Sequence, residues 1–101
     1  MIYKYDLGIP CEQPLGEFSL RIPKMIIKNV LDIQLQGKNA VMWAEVEPAD
    51  HDTFYSLVVV WTGYHELNDP NYRYLKTIQE PSTGLVYHYY GSNELNNFFD
   101  I

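Results

Sequence analysis

An imidazole serves both as a metal ligand and as a general base near neutral pH, so histidines are the first residues to weigh for chemistry. The chain has three: His51 beside Asp52, His65 beside Glu66, and His88 between Tyr87 and Tyr89. None stands at the His-x-His, His-x-x-x-His or Glu-x-x-His spacing by which one strand or helix offers two ligands to a metal. A metal centre would have to gather all three from separate segments, so neither a metal nor a cofactor is expected. His65 is the best placed, because it follows a strand end and Gly63, where a loop rests on a rigid base.

Other chemistry has less support. No Gly-x-Ser-x-Gly elbow exposes a nucleophile, and Ser82-Thr83-Gly84 reads as turn chemistry. Cys11 is the single thiol, without the spacing of a zinc site or a redox pair, and is expected to be an inert small side chain. Glu45 and Glu47 share a strand face, but they read as a wet edge that discourages aggregation rather than as an acid and a base. No phosphate-binding glycine loop is present, and an enzyme is not expected.

Rings are the stronger signal. Nine tyrosines, four phenylalanines and two tryptophans make up 15% of the chain, more than a small β interior is expected to hide. Tyrosine favours strands, yet it also buries a large apolar body at an interface while keeping a hydroxyl for a partner. Tyr72 and Tyr74 share one parity of their strand, and Tyr87 and Tyr89 one parity of theirs. If those strands pair in the register their turn suggests, the four rings meet on one face, either core or contact patch. With the loop that precedes them, the candidate binding residues are Tyr64, His65, Glu66, Asp69, Tyr72, Tyr74, Tyr87 and Tyr89.

The elements that position these residues read as β structure almost throughout. Leu31 to Gln36 alternates apolar and polar side chains strictly; a turn at Gln36-Gly37-Lys38-Asn39 leads into Ala40 to Val46, forming a hairpin. Tyr55 to Trp61 is apolar on both parities after Ser56, as an inner strand is. Tyr72 to Gln79 and Leu85 to Tyr90 read as a second hairpin, and Ile2 to Leu7 and Phe18 to Ile22 as short strands around a Gly and Pro segment. The tail from Asn93 to Phe99 suggests a helical turn capped by Ser92 or Asn93. The expected fold is a single all-β domain, residues 1–101, mainly antiparallel: a small sandwich or open barrel of about seven strands with a short C-terminal helical turn.

Composition narrows the partners. No apolar run approaches the ~20 residues of a membrane-spanning helix, and the N-terminus lacks a signal-peptide layout, so a cytoplasmic address is expected. The net charge is −6, and Glu45, Glu47, Asp50, Asp52, Glu66 and Asp69 fall in an interval with no basic residue between Lys38 and Arg73. Direct nucleic-acid binding is therefore not expected, since phosphate affinity rests on a basic face.

The order of several segments resembles a family of short uncharacterised phage and prophage proteins. The resemblance is carried by "IYKYDL" at the start, "LRIPKMIIKNVLDIQLQGKNAVMWAEVEP", "WTGYH" after the valine strand and "YLKTIQEPSTGLVYHYY". It covers residues 1 to 7 and 20 to 90, and departs from the family's Gly-Thr-Gly-His-like turn at Trp61-Thr62-Gly63 and in the extra length from Glu66 to Asn71. The resemblance implies a phage accessory protein, of a kind directed at host enzymes or host defence, and brings no catalytic residue with it. The leading expectation is a non-catalytic module that binds a host protein through the tyrosine-rich hairpin and the acidic loops. The alternatives are a small-molecule or nucleotide-sequestering protein with an aromatic pocket, a small enzyme, and a homodimeric structural subunit joined through the same tyrosine face.

Overall fold

A computed structural model describes residues 1–12, 16–63, 67 and 69–95. Among the described residues seven strands lie in two antiparallel sheets: β1 (Ile2–Gly8), β2 (Gly16–Ile22), β3 (Met25–Gln36), β4 (Asn39–Pro48), β5 (Thr53–Trp61), β6 (Tyr72–Gln79) and β7 (Val86–Ser92). One sheet has the order β1-β4-β3 and the other β2-β5-β7-β6, packed as a sandwich that does not close into a barrel. The helical element among the described residues is a 3-10 turn at Pro10–Glu12. Asn93 and Glu94 form a turn whose Leu95 is buried, while Phe98 and Phe99 of the expected C-terminal helical turn lie outside the described residues.

Both hairpins form. Gln36 pairs with Asn39 across a two-residue turn whose first central residue, Gly37, has φ +63°, a conformation that costs little without a Cβ. β5 is the expected inner strand, with Leu57, Val58, Val59 and Val60 all buried. The chain crosses between sheets twice at one end. After β2 it turns through Pro23 and Lys24, the latter at φ +56°, pinned because its N–H donates to Asp52 Oδ1 (3.1 Å) and its carbonyl accepts from Ala49 N–H (2.9 Å). Beside this corner Thr53 Oγ1 donates to the Met25 carbonyl (2.6 Å), and the Ile27 N–H donates to the buried Tyr55 hydroxyl (3.0 Å), tying the two layers together.

Two expectations need correction. The strict alternation at Leu31 to Gln36 suggests that Leu31, Ile33 and Leu35 face the core, but β3 begins earlier and carries two bulges, at Lys28 and Leu31, where the register shifts against β4. Each bulge adds one residue and resets the parity, so Ile27, Val30 and Ile33, three apart, all point inward opposite Val46, Ala44 and Met42. Leu31 is the unpaired residue and only half-buried. Glu45 and Glu47 do not mark an edge: β4 is the central strand of its sheet, and they stand on its outer face, where Asn29 Nδ2 donates to Glu45 (2.9 Å) and Lys28 lies 3.9 Å from Glu47.

The two long sides of the sandwich differ. On one, β3 and β6 meet and Lys76 Nζ bridges to Asp32 Oδ1 at 2.7 Å. On the other, β1 and β2 face each other across an open cleft between Asp6-Leu7-Gly8 and Phe18-Ser19-Leu20. Among the described residues no helix is long and apolar enough to cross a membrane.

Candidate functional site

The outer face of the four-stranded sheet gathers ring and hydroxyl side chains turned away from the core. Cross-strand rows place Glu17, Val58, Tyr90 and Tyr74 side by side, and next to them Val60, His88 and Thr77. Phe54 extends the same face on β5, two positions before Ser56, and is 62% exposed. Tyr74, 51% exposed, meets Tyr90 edge-to-face with ring centroids 5.9 Å apart. Val58 and Val60 are nonetheless buried on this face.

The hydroxyls of the patch are held. Tyr72 donates a short hydrogen bond to the Glu17 carboxylate, which also accepts from Ser56 Oγ at 3.3 Å. Burial first, and then the Glu17 partner, raise the Tyr72 phenol above its ordinary pKa. A second chain runs from the Tyr74 hydroxyl to Thr77 Oγ1 (2.6 Å), from Thr77 to His88 Nδ1 (2.8 Å), and from His88 Nε2 to Thr62 Oγ1 (2.6 Å). In a neutral imidazole one nitrogen accepts and the other donates, and threonine hydroxyls rotate to suit either assignment. The chain ends in hydroxyls at both sides, so it fixes the orientation of the imidazole ring.

The residues expected at the site fall into three groups. Tyr72 and Tyr74 lie on this face; Tyr87 and Tyr89 do not, being 1% and 0% exposed in the core between the sheets. The expected meeting of four rings fails at one residue. Between Tyr74 and Lys76 the β6 ladder shifts register at Leu75, so Tyr74 pairs with Tyr90 where an unbroken ladder would set it on the inner parity. Asp69 shapes the approach to β6: its carboxylate accepts from Asn71 N–H (2.9 Å) and its carbonyl from Tyr72 N–H (3.1 Å). Tyr64, His65 and Glu66 lie outside the described residues. Phe54, Tyr90, Thr77 and Glu17 join the face without having been expected there, as does His88, whose imidazole pointed only to a metal ligand or a base. The parity shared by Phe54, Ser56, Val58 and Val60 was the signal for the first of these.

Other candidates are dispersed. His51 pairs with Asp50 (Nδ1 to Oδ1, 2.7 Å) in the β4–β5 connection, remote from His88 in the fold, and among the described residues no three His, Cys, Asp or Glu side chains stand close enough to hold a metal. Cys11 borders a cavity of about 250 Å³ with Lys38, Glu80 and Tyr87 at one end of the sandwich. That is below the ~300–1,000 Å³ of ordinary small-molecule sites. The Glu80 carboxylate there is already committed to its own turn, accepting from the N–H and hydroxyl of both Ser82 and Thr83, and these bonds hold its pKa at about 2.

Comparison with known proteins adds the family. The model of a family described as a domain of unknown function, DUF7352, matches residues 1–97. No curated protein and no solved structure matches the chain.

Proposed function

We propose, from the premise that the chain belongs to this family of unknown function, that it acts as a non-catalytic binding module whose contact surface is the outer face of the four-stranded sheet. The observation that carries the reading is the exposure of Tyr74, packed edge-to-face on Tyr90, and of Phe54 on the same sheet face. Large exposed rings grouped on one face are what a protein partner buries, and rings already held by Glu17 and Thr77 lose little freedom when they are covered. Asp50 and Asp69, near the end of the same sheet, supply negative charge that would speed association with a basic partner. The resemblance of the segments to phage proteins supports a partner in the host cell, a host enzyme or defence protein, as the finer form of this reading.

The test is quantitative binding to a partner recovered from host lysate and then purified. Tyr74→Ala and Phe54→Ala are each expected to weaken binding by about 30-fold or more, the scale of an interface hot spot. Equal affinity for the wild-type chain and the double variant would reject the face as the contact surface. Native mass spectrometry that returns a retained small molecule would instead favour a sequestering protein, in which a flat ring stacks on Tyr74 and Tyr90 beside His88.

A further inference from the structure

Sheet edges carry unpaired backbone groups, and a protein leaves a long edge bare only at some hazard. Of the four edge strands here, β3 and β6 face each other, are bulged, and are bridged by Lys76 and Asp32. β2 is flanked by Pro23, and its charges are matched within the chain: Arg21 donates to Asp52 (2.7 Å), and Glu17 accepts from Tyr72. β1 has fewer of these devices: among the described residues neither Lys4 nor Asp6 makes an ion pair. It runs from Ile2 to Gly8 without a proline, with Ile2 62% and Tyr3 44% exposed, and is ended by a register shift only at Gly8, φ +85°.

The direction of its free groups follows from one end. Val46 N–H donates to the Met1 carbonyl at 2.8 Å and Met1 N to the Val46 carbonyl at 3.4 Å, so Met1, Tyr3 and Tyr5 turn their backbone groups to β4. By the alternation of an antiparallel ladder, Ile2, Lys4 and Asp6 turn theirs to the open side. We infer that β1 is the seam of a two-fold dimer, in which a second copy of this chain pairs its own β1 antiparallel to the first and joins the two three-stranded sheets into one.

The register is restricted by parity and charge. Residues that meet across the seam must both direct their backbone groups outward, which leaves two central registers. One sets Lys4 against Lys4 at the axis, where like charges directly opposite destabilise. The other places Tyr5 at the axis and sets Lys4 against Asp6 of the partner subunit on both sides, with Tyr3 across from the partner's Leu7. Lys4 is well placed for this, since its present acceptor is the neutral Gln36 amide (3.0 Å), and Asp6 is kept ionised: Asn39 and the Gly8 N–H lower its pKa. The seam does not use the outer face of the four-stranded sheet, so it stands or falls apart from the binding reading above.

Sedimentation velocity of the full chain at micromolar concentrations tests it. The wild-type chain is expected to be dimeric, and Lys4→Pro monomeric with an unchanged circular-dichroism spectrum, because the N–H it removes points away from β4. Lys4→Glu and Asp6→Lys are each expected to weaken self-association by about tenfold or more. Mixing the two variants should restore a heterodimer, since each introduced charge then meets its opposite. A wild-type monomer, a dimer indifferent to Lys4→Pro, or variants that fail to recover on mixing would each overturn the proposal. A dimer lost instead on Tyr74→Ala would do the same, by assigning the interface to the tyrosine face.

Discussion

The two faces of the β6–β7 hairpin carry the same residue type and put it to opposite uses. Tyr87 and Tyr89 face the other sheet and are almost wholly shielded; Tyr87 packs on Trp61 in a T-shaped contact at 6.3 Å. Tyr72, Tyr74 and Tyr90 face outward, the first two with their hydroxyls hydrogen-bonded to neighbours on the same surface. Of the inner pair, Tyr89 has its hydroxyl buried without a hydrogen-bond partner among the described residues, and burial pushes its pKa up. The inner rings are present for their volume, and the outer ones keep their polar ends engaged. Aromatic content by itself is therefore no measure of an interaction surface; parity decides which rings another molecule can reach.

This contrast can be broken most sharply at its centre. Tyr89→Ala is expected to lower the unfolding free energy by about 3–5 kcal/mol, the range for emptying a large buried ring site. Tyr89→Phe should cost nothing or add slightly to stability, because it removes a buried hydroxyl that has no partner. Chemical denaturation reads both, and a loss below about 1 kcal/mol for the alanine variant would remove Tyr89 from the core. Gly91→Ala comes next. Its Cβ would stand 2.8 Å from Leu95 Cδ1 and 2.9 Å from Leu75 Cδ1, so overpacking should cost about 1–3 kcal/mol and be partly relieved when Leu95→Ala is combined with it.

Tyr74→Ala, on the outer face, should change stability by no more than about 1 kcal/mol while weakening partner binding by about 30-fold or more. A core-sized loss there would erase the distinction between the faces. The smallest effect lies at the hairpin's turn. The Glu80 pKa is lowered from 4.5 to about 2 in the folded chain by Ser82 and then Thr83, so its stabilising contribution is complete above pH 4.5 and disappears as the pH falls towards 2. Glu80→Gln should therefore melt slightly below the wild-type chain at neutral pH and converge with it in acid; a difference that persists at pH 2 would assign the effect to something other than the carboxylate.

Much of the architecture was legible in the residues. The alternation near Ile33, the Gly37 turn and the unbroken valines of β5 announced two hairpins and an inner strand, and the all-β sandwich follows from them. The bulges were not legible, because a period-of-two reading has no place for an added residue. Their trace was nonetheless present as inward residues three apart, Ile27-Val30-Ile33 in β3 and Leu75-Ile78 in β6. Missing the second of these merged the inner and outer tyrosines into one imagined face. The candidate site was thus half found: Tyr72 and Tyr74 stood out by composition, whereas Tyr90, His88 and Phe54 depend on which strand lies beside which, a property of the tertiary fold. Glu17 reaches Tyr72 from an edge strand 55 positions earlier, a contact no local pattern announces.

The register shift at Leu75 also divides one strand into two phases. Downstream of it, Lys76 to Gln79 are phased to Val86 to Tyr89, with Ile78 in the interior and Thr77 on the outer face. Upstream, Tyr72 and Tyr74 are phased to Ser92 and Tyr90, and replacing them leaves the interior undisturbed. A single added residue thus acts as a joint within one strand, turning Tyr72 and Tyr74 to the outer face while Leu75 and Ile78 stay in the core.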